Sequence, residues 1–151
     1  MPEQRNAART NMATDKSFLG TGWAFPPQFN INGRVKRVSA EEDIRESLYI
    51  LLSTHPGERI MQPTYGCGLK AHVFEEIDET EVTVITDLVR RAILFFEPRV
   101  IVERIDVDSE NENDRANGLI QIHITYIVRS TNNRHNIVYP FYFTEGTNVR
   151  I

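Results

Sequence analysis

Five carboxylates, Glu58, Glu75, Glu76, Asp78 and Glu97, are the side chains whose type best suits acid–base chemistry. Cleavage of a glycosidic bond, the reaction most often run by paired carboxyls, needs two of them facing each other across a cleft, roughly 5 to 10 Å apart, with one raised in pKa by an apolar setting. These five fall in turns and charge clusters, and nothing in the sequence sets a pair across a groove. The histidines at 55, 72, 123 and 135 never fall at the spacing with which two imidazoles on one helix hold a metal, so no metal and no cofactor is expected. Cys67 is the only cysteine, so an internal disulfide is ruled out and nothing demands an oxidising compartment. No helix terminus or basic partner can be assigned to lower its pKa, and between Gly66 and Gly68 it reads as a small packed residue.

The net charge of −4 over 151 residues opposes a phosphate backbone unless a local basic patch overcomes it. Arg34, Lys36 and Arg37 come nearest to such a patch. With no aromatic residues interleaved among them they read as a solvated strand end, and no nucleic acid partner is expected. No apolar run approaches the roughly 18 residues of a membrane-spanning helix, so no direct membrane insertion is expected either. The first 17 residues lack an apolar stretch of about 7 or more behind Arg5, Arg9 and Lys16, which argues against a secretory signal. The chain is expected to be cytoplasmic while it folds and assembles.

A framework must position these groups, and its elements follow from local patterns. Residues 1–19 read as a flexible polar tail and 20–151 as a single domain, long enough to remove about two-thirds of its extended-chain surface from water. Gly20 and Gly22 bracket a turn, and Trp23-Ala24-Phe25-Pro26-Pro27 is an extended apolar segment expected to lie across the domain as a clamp. Ile31 and Val35 flank Asn32-Gly33, which suits the positive backbone angles of a tight hairpin turn between Asn30 and Val38.

A first helix is expected with Ser39 as its cap and Glu42 as capping-box partner, since Ile44, Leu48, Leu51 and Leu52 repeat at helical spacing. It must stop at His55-Pro56, leaving Pro56-Gly57-Glu58-Arg59 as a structural turn. Pro63 to Leu69 reads as an irregular loop anchored by Phe74. A second helix begins around Asp78 to Thr80 and ends at Phe96 before Pro98, with Val82, Ile85, Val89, Ala92, Ile93 and Phe96 on one stripe.

From Val100 the period becomes two. One strand runs from Ile101 to Asp108, a polar loop from Ser109 to Gly118, and a long strand carries Ile120, Ile122, Ile124, Tyr126 and Val128 on one face. A connector from Ser130 to Asn136 leads to a last strand, where Ile137, Tyr139, Phe141 and Phe143 alternate with Val138, Pro140 and Tyr142. Pro140 cannot donate to a ladder, so this strand belongs at an edge. The fold class is α+β: two main helices packed on a small, mostly antiparallel sheet with an exposed edge, preceded by an extended N-terminal arm.

Two stretches close the helices: Thr54-His55-Pro56-Gly57-Glu58-Arg59 and Glu97-Pro98-Arg99. With the intervening Tyr65-Gly66-Cys67-Gly68-Leu69 loop and Phe74, their order resembles the lysozyme-like baseplate wedge family. That family includes a phage baseplate wedge subunit and counterparts in type VI secretion baseplates and extracellular contractile injection particles. The resemblance spans residues 40 to 128 and implies a non-catalytic structural subunit seated between the baseplate core and the first sheath ring. It implies that Glu97, Pro98 and Arg99 dock on the wedge core, and that the edge strand bearing Ile137, Tyr139, Phe141 and Phe143 receives a sheath strand and so initiates sheath polymerisation. The implied partners are other wedge proteins, sheath subunits and the tube or hub, in multiple copies around a six-fold axis within the baseplate of a phage tail-like particle. Some members carry a lysozyme label, which makes a tail-associated muramidase that cleaves peptidoglycan the alternative.

Overall fold

The computed structural model describes residues 19–73 and 77–143. Phe74, Glu75, Glu76 and residues 1–18, to which the sequence assigned an anchor, two candidate carboxylates and a tail, lie outside the described residues. The elements are β1 (Thr21–Trp23), β2 (Arg37–Ser39), α1 (Glu41–Ser53), a short 3-10 turn (Gly68–His72), α2 (Glu79–Phe96), β3 (Val100–Asp108), α3 (Glu112–Ala116), β4 (Leu119–Val128) and β5 (Asn133–Tyr142). They form an α+β fold with two antiparallel sheets, β1-β2 and β3-β4-β5.

Both long helices carry the stripes that their periodicity implied. Ile44, Leu48, Leu51 and Leu52 of α1 and Ile85, Val89, Ala92 and Ile93 of α2 are buried against one face of the large sheet. That face is built from Ile120, Ile122, Ile124, Tyr126 and Val128 of β4 and Ile137, Tyr139 and Phe141 of β5. Each such apolar side chain withdrawn from water contributes about 1.5–3 kcal/mol, which offsets the entropy of ordering the chain. In β3, Val102 lies opposite Tyr126 and Ile105 opposite Ile124, although they are three residues apart. The register shift between Val102 and Arg104 restores the inward alternation and leaves Glu103, Arg104 and Asp106 exposed.

Several local expectations need correction. Ser39 does not cap α1, because its backbone is spent pairing with Thr21. The N-cap is Ala40 at φ 60, with no side-chain cap, and Glu41, Glu42 and Asp43 in the first turn face the positive end of the helix dipole instead. The polar stretch 109–118 contains the short helix α3, started by Asn111, whose side chain accepts from the Asn113 amide at 3.2 Å. β5 begins at Asn133, within the expected connector, because Asn132 at φ 54 completes the turn and frees Asn133 to pair with Val128. Residues 23–27 do not clamp the body as a unit: Ala24 is buried and the Phe25 ring lies 6.1 Å from that of Tyr49, yet Trp23 is 70% exposed.

The Asn32-Gly33 hairpin forms as its residues dictate. Gly33 has φ 70 and donates to the Asn30 carbonyl at 2.9 Å, and the Asn30 side chain accepts from the Asn32 and Arg34 amides. Gly66 shows the opposite use of glycine. At φ 129 it lies against the end of α1, where the Cys67 amide donates to the Thr54 carbonyl at 2.9 Å, and a Cβ on Gly66 would collide with that carbonyl. Gly66→Ala is therefore expected to lower the unfolding free energy by more than about 1 kcal/mol in urea denaturation, and an unchanged midpoint would refute the packing role.

Candidate functional site

The two motif-bearing turns line one cleft, through Arg59 and Arg99. α2 ends when the Glu97 amide donates to the Ile93 carbonyl at 2.9 Å, and Pro98 turns the chain so that β3 starts at Val100. This brings Arg99 back over its neighbour: Nε donates to Glu97 Oε1 at 2.6 Å and Nη2 to Oε2 at 2.7 Å, a two-point pairing that fits a planar fork to a carboxylate. Nη1 donates to Asp43 Oδ2 at 2.7 Å and to the Leu19 carbonyl at 2.9 Å. Ser47, one turn after Asp43 on α1, donates its hydroxyl to Glu97 Oε2 at 2.7 Å.

Arg99 thus ties α1, the α2–β3 corner and the root of the N-terminal hairpin into one cluster. Gly20 and Gly22, expected to bracket a turn, are what admit it, although Gly22 lies within β1 and pairs with Val38. Gly20 has φ 103 and a Cβ there would lie 3.2 Å from Arg99 Nη1, while a Cβ on Gly22 would overlap the Asp43 carboxylate.

Glu97 is only 3% exposed, so its charge is offset internally, whereas the Arg99 side chain keeps 31% of its surface open and Pro98 is exposed. The paired Glu97 carboxylate, then Asp43, raise the Arg99 pKa above its ordinary value against the opposing effect of burial. All but one of the guanidinium's N–H groups are engaged among the described residues, and Arg99 also lines a cleft. This cleft, of about 330 Å3, is lined by Trp23, Arg59, Tyr65 and Arg99 together with α1 residues.

The turn Pro56-Gly57-Glu58-Arg59 supports one wall. Gly57, at φ 95, donates to the Pro63 carbonyl at 2.7 Å, and Glu58 accepts from Lys70 Nζ at 2.7 Å and from the His55 amide at 3.1 Å. Arg59 lies 3.9 Å over the Tyr65 ring, which in turn packs 5.2 Å from Phe96. Ile60 and Met61, just beyond, are almost wholly exposed.

The three candidate carboxylates that lie among the described residues are each engaged in a structural contact. Asp78 caps α2 by accepting from the Glu81 amide at 2.7 Å, Glu58 holds its turn, and Glu97 holds Arg99, so no two of these face each other across an open groove. Burial pushes the Cys67 thiol up to about 11, which keeps it protonated and unreactive near neutral pH.

The edge strand borders a second groove, which shares Glu46 of α1 with the cleft beside Arg99. In the order β3-β4-β5, each outer strand has one side unpaired among the described residues. Ile137, Tyr139 and Phe141 point inward and are buried, and Phe143, just past β5, donates its amide to the Gly118 carbonyl at 2.8 Å. Pro140 sits on this outer strand, as its missing N–H requires. A groove of about 680 Å3 runs beside β5, between its residues 135–138 and Glu41, Glu42, Arg45, Glu46 and Tyr49 of α1. The β3 edge differs, since its bulge and the Arg104–Asp106 ion pair at 2.6 Å interrupt a regular ladder.

What the sequence reading missed were the partners of Arg99. Asp43 and Ser47 flank Ile44 and Leu48 at one-turn spacing, a polar pair beside a buried stripe, and that is the only local sign of them.

The sequence matches the family described as baseplate wedge protein gp25 over residues 38–133. A crystal structure from Geobacter sulfurreducens, of a protein named as a tail lysozyme, is 43% identical with a TM-score of 0.66, covering 73% of this chain and 96% of that one. A chain of the anti-feeding prophage baseplate, seen by electron cryo-microscopy, is 25% identical with a TM-score of 0.62, covering 86% of this chain and 90% of that one. No curated protein matches the sequence.

Two outcomes follow, one for the corner and one for the turn. Arg99→Ala leaves Glu97 buried without its counter-charge, and should cost about 3–5 kcal/mol by chemical denaturation; a loss below about 1 kcal/mol would contradict the cluster's role. For the turn, the Lys70 hydrogen bond, followed by that from the His55 amide, holds the Glu58 carboxyl below its ordinary 4.5. A carboxylate whose pKa is lowered by folding adds stability above the unfolded value, and that stability is lost as pH falls through the folded value. Glu58→Gln should therefore lower stability by less than about 1 kcal/mol at pH 7, as suits an exposed pair, and not at all once the pH is well below 4. A difference that persists at low pH would refute this.

Proposed function

This chain belongs to the baseplate wedge protein gp25 family, and from that premise we propose that it docks on the wedge core near Arg99 and starts the sheath by accepting a strand on β5. A component of the baseplate of contractile tail systems works by binding its neighbours, and the folded domain offers two separate places for that.

The single observation that carries the reading is that β5 is an outer strand, with one side unpaired among the described residues, beside a groove. An open edge presents a row of amides and carbonyls that an extended segment satisfies, while its alternate side chains set the register. The ten-residue ladder between β4 and β5 fixes the template, and Ile137, Tyr139 and Phe141 anchor it from beneath. The bulged and charged β3 edge favours β5 as the receiver. A sheath strand entering here would be held between β5 and the acidic flank of α1.

At the other place, Glu97 fixes the orientation of Arg99, so the contact offered to the wedge core consists of Pro98 and the free edge of the guanidinium. Pre-orientation lowers the entropy cost of binding. Assembly in the cytoplasm, in multiple copies around a six-fold axis and in contact with sheath, tube or hub, belongs to the same reading.

Asn136 and Val138 are exposed on β5, and lysines on an edge strand oppose the addition of a further strand. Asn136→Lys/Val138→Lys should melt like the unaltered protein and still enter baseplates, while particles bearing sheath fall by about tenfold in electron micrographs. Sheathed particles at the unaltered level would sink the strand-addition role.

A further inference from the structure

We propose that the hairpin of residues 20–39 is an additional docking arm, which binds an acidic surface patch of a neighbouring baseplate protein around one apolar or aromatic anchor. The inference takes from the preceding reading only docking near Arg99, and it does not depend on the β5 edge. The arm lies almost wholly before the family match, which starts at residue 38.

Its composition is one-sided. Residues 20–39 hold Arg34, Lys36 and Arg37 and no acidic residue, in a chain whose net charge is −4, so the remainder carries −7. Pairing between the strands brings together what the linear sequence kept apart. Trp23 is the direct cross-strand partner of Arg37, and Phe29 bridges to Val35 between Arg34 and Lys36. Trp23 and Phe29 are 70% and 69% exposed, and Ile31 at the tip is fully exposed. The basic segment therefore does have aromatic residues beside it.

An isolated two-stranded hairpin is marginal in water, and this one is held at its root. Leu19 accepts from Arg99, the Ala40 amide donates to the Gly20 carbonyl at 3.2 Å, and the Phe25 amide donates to Glu46 Oε2 at 2.9 Å. Exposed aromatic residues on a firmly rooted arm form a prepared surface, since little freedom remains to be lost on binding.

The arm also borders the cleft beside Arg99, which Gly22, Trp23 and Arg59 line. Ile60 and Met61, which follow Arg59 in the chain, are exposed apolar residues as well. Tryptophan and arginine around a small cleft, with charges outside, are the usual make-up of the residues that dominate binding energy. The complementary partner presents Asp and Glu to Arg34, Lys36, Arg37 and Arg59, and one side chain to the cleft.

Single-stranded nucleic acid would also use aromatic and basic groups. The carboxylates of Asp43 and Glu46 in the cleft wall and the −7 carried by the remainder of the chain favour an acidic protein over a phosphate backbone.

The test uses the full chain expressed with its own baseplate. Arg34→Glu/Lys36→Glu/Arg37→Glu and, separately, Trp23→Ala/Phe29→Ala should keep the melting behaviour of the unaltered protein, yet lower the amount of this chain in purified particles by about tenfold. Loss of the chain itself marks the arm, whereas loss of sheath with the chain retained marks β5, so the two readings fail separately. If the triple variant does not fold, Ile31→Asp at the exposed tip decides by the same measurement. Incorporation at the unaltered level overturns the proposal. It is equally overturned if the unaltered protein binds single-stranded DNA of about 20 nucleotides at about 150 mM salt and the charge-reversed variant does not.

Discussion

The buried carboxylate of Glu97 constrains everything around it. A charge taken out of water at the end of α2 must be met, and it is met by a guanidinium two residues later, a serine hydroxyl from α1 and, through that guanidinium, a second carboxylate and a backbone carbonyl. The cost of leaving any of these groups unpaired fixes the angle between the helices, the exit of β3 and the root of the hairpin together. Such a cluster contributes little net stability compared with a well-packed apolar core, and its value lies in allowing one arrangement. Gly20 and Gly22 are part of the same requirement, because side chains there would push Asp43 and Arg99 apart.

A mechanical component needs rigid placement of surfaces more than it needs chemistry. Here Glu97, Arg99 and Asp43 are spent on fixing a corner, and binding capacity is left to a strand edge unpaired among the described residues and to an exposed basic and aromatic ribbon beside a small cleft. The two surfaces are joined through α1, whose first turn supplies Asp43 to the cluster while Glu41, Glu42, Arg45, Glu46 and Tyr49 flank the groove beside β5. A load applied at either surface is therefore carried by the same helix and by the core that it packs on.

Much of this was legible because it is local. Helical periods, the Asn32-Gly33 turn, the alternation in β4 and the edge position implied by Pro140 each depend on residues a few places apart. The alternation of Ile137, Tyr139 and Phe141 with Val138, Pro140 and Tyr142 was legible too, and the structure buries the first set. Ser39 misled because its backbone pairs with Thr21, a contact set by the folding-back of the hairpin and invisible in a capping pattern. The bulge at Glu103 and the pairing of Trp23 with Arg37 are likewise consequences of strand register. The Arg99 cluster was legible only as a motif: the residues Glu97-Pro98-Arg99 stood out, but their partners lie 80 and 56 positions away in sequence, at Leu19 and Asp43. No short-range pattern carries such a separation.

The most direct measurement is an electron cryo-microscopy reconstruction of an assembled baseplate containing this chain, at a resolution that separates strands. The account predicts one foreign strand hydrogen-bonded along β5 beside α1, with the Glu97–Arg99–Asp43 cluster intact beneath a partner surface. A bare β5 edge, with the sheath attached elsewhere on the domain, would contradict it.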